Sequence, residues 1–212
     1  MPQVNMIRPV SRYAVLVLML FAVAACAGLP GSAPTRFYIL KTAADIKPGE
    51  ASYDLPEAMT IGIGPVQIPG YADRPQIVTF DSGSEINVSD FDHWAEPLGD
   101  AIKRVVSSNV ASLIGEEKVF AYPADFRPNR DSVQVAVDII DITETGAGVA
   151  RLSVRWHLKG LYDNTVLARH AKIYEMPATS GDYNSYANAL SSLLGELSRD
   201  IAASLDGVNL SS

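Results

Sequence analysis

At 212 residues the chain is long enough for one domain with a real core, and 48% hydrophobic with 19% charged residues excludes a disordered polymer. Lys and Arg number 17 against 24 Asp and Glu, a formal charge of −7. An acidic surface repels polyphosphate backbones, which argues against nucleic acid and against a broad basic patch for anionic lipid headgroups.

The N-terminus reads in three parts. Arg8 and Arg12 form a positive segment, residues 13–22 (YAVLVLMLFA) an uncharged apolar run, and Val23-Ala24-Ala25-Cys26 a small-residue site ending in the only cysteine. The apolar stretch is too short to span a bilayer core, which needs roughly 20 residues, and has the length of a signal-peptide core. Val23-Ala24-Ala25-Cys26 resembles the bacterial lipobox. That implies cleavage after residue 25, with diacylglycerol on the Cys26 sulfur and an N-acyl group on its amine. Cleavage would remove Arg8 and Arg12 and no acid, taking the formal charge from −7 to −9. A lone cysteine consumed by its lipid also leaves no spare thiol in an oxidising compartment. Each buried CH₂ contributes about 0.8 kcal/mol, so two or three acyl chains make anchoring effectively permanent. Ala27 stands where an Asp would signal retention in the inner membrane, so the expected address is the outer membrane, facing the periplasm. Residues 26–36 (CAGLPGSAPTR) form a short tether that holds the following domain, expected over residues 37–207, close to its bilayer.

Along that domain, residues 36–41 (RFYILK) predict a short strand, 43–57 a polar loop, and 59–66 (MTIGIGPV) a strand running into Pro65. Residues 76–80 and 85–88 predict a hairpin turning at 81–84. Residues 96–115 predict an amphipathic helix, with Pro97 early in it, Gly115 stopping it, and Leu98, Ile102, Val105, Val106, Asn109, Val110 and Leu113 on its buried face. A short strand is expected at 118–121. Val133, Val135, Val137 and Ile139 alternate, and the pattern then shifts to Ile140 and Ile142, which predicts a bulge. Leu152, Val154, Trp156 and Leu158 alternate with Arg151, Ser153, Arg155, His157 and Lys159, one dry face and one wet. Asp163-Asn164 turns the chain into a strand over 165–174. Asp182 caps a last helix with Tyr183, Tyr186, Leu190, Leu193, Leu194, Leu197, Ile201 and Leu205 on one stripe. Together these imply an α+β domain, a mixed and largely antiparallel sheet with both amphipathic helices on one face.

Residues that carry chemistry are scarce. Gly62-Ile63-Gly64 lacks the third glycine and following helix of a dinucleotide fingerprint. His93, His157 and His170 are far apart in sequence with no metal-ligand spacing, and His157 and His170 read as solvated. No G-x-S-x-G elbow exists, and no thiol remains as a nucleophile. The expectation is a protein that is not an enzyme and holds no metal or cofactor.

Two stretches carry more information than their secondary structure needs: residues 64–78 (GPVQIPGYADRPQIV), and 90–98 (DFDHWAEPL), which leads into the first helix. Behind a lipobox, the two together resemble the PqiC-type ABC transport auxiliary lipoproteins, with Ala72 where that family more often has a larger aliphatic residue. The resemblance covers about residues 26–207. It implies a lipid-anchored periplasmic component of an MCE-type transport system, docking or receiving at the outer membrane. The implied partners are an MCE-domain protein with its ABC permease and ATPase, and rings of identical subunits would suit such docking.

Tyr71, Asp73, Arg74, Pro75 and Gln76 are expected in an exposed loop that contacts a partner or another copy. Phe91 and Trp94 read either as part of that surface or as core aromatics closing the helix entrance, and Asp73-Arg74 alternatively as a local salt bridge. The competing reading of the whole chain is a structural envelope lipoprotein that binds peptidoglycan or an outer-membrane assembly complex.

Overall fold

The computed structural model describes residues 33–43, 53, 55–80 and 83–208. The signal peptide over 1–25, Cys26, most of the tether, residues 44–52 of the polar loop and turn residues 81–82 lie outside the described residues. Chain contacts divide the protein into Met1–Pro34 and Thr35–Ser212, and the elements below belong to the second unit.

The strands are β1 (Arg36–Tyr38), β2 (Thr60–Gln67), β3 (Gln76–Phe80), β4 (Ile86–Trp94), β5 (Val119–Ala121), β6 (Ser132–Thr145), β7 (Val149–Gly160) and β8 (Val166–Pro177). Helix α1 spans Leu98–Ile114 and α2 spans Tyr183–Leu205. Strand β6 is the trunk of the sheet. It pairs antiparallel with β7 along its whole length, and β7 with β8. Its first half also pairs in parallel with β2, which carries β5, and at Thr145 it meets Phe80 of β3. Strand β3 carries β4 antiparallel, and β1 adds in parallel at the edge. The sheet is mixed and mostly antiparallel, as the hydrophobic patterning predicts.

Both helices cover one face: α1 lies on β2 and β5, α2 on β7, β8 and β1, and the two helices pack on each other. Their apolar stripes are buried as the 3–4 spacing requires. The Asp182 side chain accepts from the backbone N–H groups of Asn184 (2.9 Å) and Ser185 (3.2 Å), and Gly115 at φ 110° ends α1. Pro97 sits one position earlier than predicted, at the cap itself, where its carbonyl accepts from Ala101. The polar members of the helix faces catch the chain leaving β1: Ser191 Oγ accepts from Lys41 N–H and Asn109 Oδ1 from Ala43 N–H, both at 3.1 Å. That accounts for an asparagine on a buried stripe.

The predicted bulge is present between Ile139 and Asp141. Val133 to Ile139 face the core on odd positions and Ile142 resumes on an even one, while Ile140, expected with Ile142, is exposed because the bulge begins there. The glycines of β2 admit β5 closely. A Cβ on Gly62 would stand 2.8 Å from the Phe120 ring, and one on Gly64 would stand 2.3 Å from the Tyr122 carbonyl, so only glycine fits.

The main departure is β4. Residues 90–94 continue the strand to Trp94 rather than forming the entrance to α1. A register shift against β3, between Gln76 and Val78, absorbs the extra residues. His170 is not simply solvated either: it stacks on Trp156 at 4.9 Å, while Trp156 Nε1 donates to Ser204 of α2 at 3.2 Å.

Candidate docking site

The two information-rich stretches, distant by pattern, fold against each other. Gln76 of β3 is opposite His93 of β4, and the Trp94 N–H donates to the Pro75 carbonyl at 2.7 Å. Between them lies a surface pocket of about 330 Å³. Asp73, Arg74 and Pro75 line one side, Glu96 and Pro97 the other, and Trp94 and Leu98 close the bottom. The bottom is apolar and buried, with Trp94 6% exposed and packed at 6.2 Å on Tyr186 of α2. On the rim, Glu96 is already engaged by Arg104, which also donates to the Leu40 carbonyl at 3.0 Å. Asp73 and Arg74 are exposed. Among the described residues neither makes an ion pair, so the local salt bridge between them is absent.

Tyr71 departs from the expected exposed loop. Its ring is half-buried, edge-on to Phe80 at 5.5 Å. Its hydroxyl donates to Asp141 Oδ1 at 2.6 Å and accepts from the Ile142 N–H at 3.0 Å. The position explains the contact. Strand β2 leaves β6 at Asp138 and β3 joins it only at Thr145, so this edge of β6 has no strand partner between them. A buried N–H left there would be costly, and Tyr71 satisfies it. Burial, then the bond to Asp141, pushes the phenol above its usual range. Replacing Tyr71 with Phe is expected to cost about 1–3 kcal/mol, the penalty for an unsatisfied buried donor, read as a lower denaturation midpoint. Unchanged stability would return Tyr71 to the partner surface.

Gln76 is half-buried in β3. Phe91 is 40% exposed and does not line the pocket, so it is not a core aromatic. Trp94 is one. The structure thus brings Asp73, Arg74, Pro75 and Trp94 to one pocket and leaves Tyr71 beneath the loop and Phe91 apart from it.

A further group joins this region to the start of the domain. Asp92, 3% exposed, accepts from Tyr38 Oη (2.8 Å), Ser89 Oγ (2.8 Å) and Arg36 Nε (2.7 Å). Burial raises its carboxyl, but the bonds from Arg36, Tyr38 and Ser89 outweigh it and hold Asp92 below the usual carboxylate range. The Ala95 N–H then donates to the Tyr38 carbonyl at 2.8 Å. Arg36, Tyr38 and Ser89 were not singled out by the sequence reading. The only signal for them is the acid inside the aromatic-rich 91–94 segment, an acid that a buried site must pair.

The sequence model of the ABC-type transport auxiliary lipoprotein component family matches residues 38–202. The chain belongs to that family. The match takes in both stretches around the pocket and runs from Tyr38, a partner of Asp92, to Ala202 near the end of α2. Solved structures that share the fold include the following two. An uncharacterized protein aligns with a TM-score of 0.65 at 15% identity, over 82% of this chain and 100% of its own. A Xanthomonas campestris protein of the family DUF330 aligns at 0.63 and 18% identity, over 80% and 95%. The comparison with curated proteins finds no match. As a member of this auxiliary family the chain is a transport-associated lipoprotein. None of its described helices is long and apolar enough to cross a membrane.

Proposed function

We propose that this auxiliary lipoprotein is a non-enzymatic docking component of an MCE/ABC-type system that moves lipid between membranes. The acyl groups on Cys26 would hold it at the outer membrane, facing the periplasm. The observation that carries this reading is the convergence of both stretches on one pocket with a buried aromatic bottom and an unpaired Asp73-Arg74 rim. Protein partners bind most strongly where an anchor side chain enters an apolar pocket and a polar rim excludes water. The pocket adjoins β4, which pairs with β1, and the tether ends at β1. Docking there would take place close to the anchored membrane.

Reversing the rim charge tests it. Arg74→Glu should reduce co-purification of the MCE-domain partner about tenfold, roughly 1.4 kcal/mol, with no change in melting temperature because Arg74 is exposed and makes no ion pair among the described residues. A photo-cross-linker at position 73 should capture the MCE-domain protein in cells. Undiminished partner recovery from the variant, or capture of peptidoglycan or an assembly complex instead, would overturn the proposal.

A further inference from the structure

The sheet face opposite the helices holds a second cavity, of about 470 Å³, crossing β2, β6, β7 and β8. On β7, Arg155, His157 and Lys159 occupy alternate positions and so share this outer face. Arg169 of β8 is directly opposite His157. Same-face neighbours along a strand stand about 7 Å apart, and directly opposed residues roughly 5 Å apart at Cβ, so four cationic or protonatable side chains rise from one small area. Among the described residues, none of Arg155, Lys159 and Arg169 makes an ion pair. The one acid lining the groove is Asp138 of β6, opposite Arg155; the wall also includes Gln67 of β2, Gln134 of β6 and His170 of β8, whose ring stacks on Trp156.

A chain with an excess of acids has thus gathered three unneutralised cations in one concavity. Like charges so spaced repel, and the one carboxylate lining the groove, Asp138, offsets only part of the repulsion. Burial first, then Lys159 and Arg169, hold the His157 imidazole below its usual value, with Asp138 opposing. The overall negative charge argues against a broad basic surface, but it does not prevent a compact one, because side-chain fields are screened within about 10 Å.

The geometry points to a phosphate-binding groove formed by Arg155, His157, Lys159 and Arg169. A phosphate group matches the cluster because it is compact, anionic and able to accept several charge-assisted hydrogen bonds at once. The phosphate can belong to a free ion or to a lipid headgroup. The assignment goes beyond the docking reading and does not depend on it, since the motif pocket has its own separate lining.

The test uses the full chain in a neutral glycoside detergent, titrated with inorganic phosphate and separately with glycerophosphoglycerol, the deacylated headgroup of an anionic phospholipid. Chloride of matched ionic strength is the reference. Binding is read from calorimetry and from the imidazole carbon signals of His157. Phosphate should bind saturably and raise the His157 pKa. Arg155→Gln with Arg169→Gln should weaken binding about tenfold or more, while Lys41→Gln with Arg127→Gln, of equal charge change elsewhere, should not. Preference for glycerophosphoglycerol would assign the groove to lipid headgroups, and preference for inorganic phosphate would assign it to the free ion. Binding no stronger than chloride, or equal losses in both double variants, would overturn the groove.

Discussion

Trp94→Ala should be the most damaging single change in the docking region, lowering stability by about 3–5 kcal/mol, the usual cost of truncating a buried Trp to Ala. The indole is 6% exposed and packs on the fully enclosed Tyr186, so its loss leaves a cavity between β4 and α2 that the sheet cannot close. The melting temperature should fall by roughly 6–20 °C, given about 2–4 °C per kcal/mol for a domain of this size. The same truncation removes the bottom of the pocket, so partner recovery should fall even at temperatures where the variant remains folded. Trp94→Phe separates the two roles: it retains a ring, should lose much less stability, and should keep measurable binding. If Trp94→Ala melted like the wild type, neither the core role nor the pocket built on it would stand.

Asp92→Asn should cost about 2–3 kcal/mol at neutral pH, from the weakened bonds of Tyr38 and Ser89 to a buried charged acceptor. Arg36 is mostly exposed and is expected to contribute little. The effect carries a pH signature. The folded pKa of Asp92 lies below its ordinary value of 3.8. Its contribution is therefore complete above that value and is lost as pH falls through the lower folded value. Wild type loses this increment in acid and Asp92→Asn has none to lose, so the stability gap should narrow below about pH 3.8 in denaturation curves. A gap that stays constant down to strong acid would mean that the three bonds do not favour the ionised form.

The sequence reading succeeded where the signal is local. The helical stripes, the Asp182 cap, the alternation of β7 and the parity shift at Ile139–Ile142 all follow from periodicities of 3.6 or 2 within one element. It failed where pairing decides the outcome. Residues 90–94 look like a helix approach, yet they become a strand because β1, from 56 positions earlier, adds alongside them. Tyr71 reads as a loop residue, yet an unpaired stretch of β6 about 70 positions later takes up its hydroxyl. The motif pocket lay between the two outcomes: both stretches were singled out, but their meeting at Pro75 and Trp94 depends on the β3–β4 register.

By itself the sequence determined the α+β class, the family, and the expected lipobox ahead of a short tether, since each rests on residues adjacent in the chain. Only the tertiary structure decided which motif residues face solvent, that Asp92 ties the first strand to the fourth, and that cations spaced along β7 and β8 gather in one groove. The physical reason is that burial and charge clustering are properties of neighbours in space. Strand register, which hydrogen bonds between distant segments set, decides who those neighbours are.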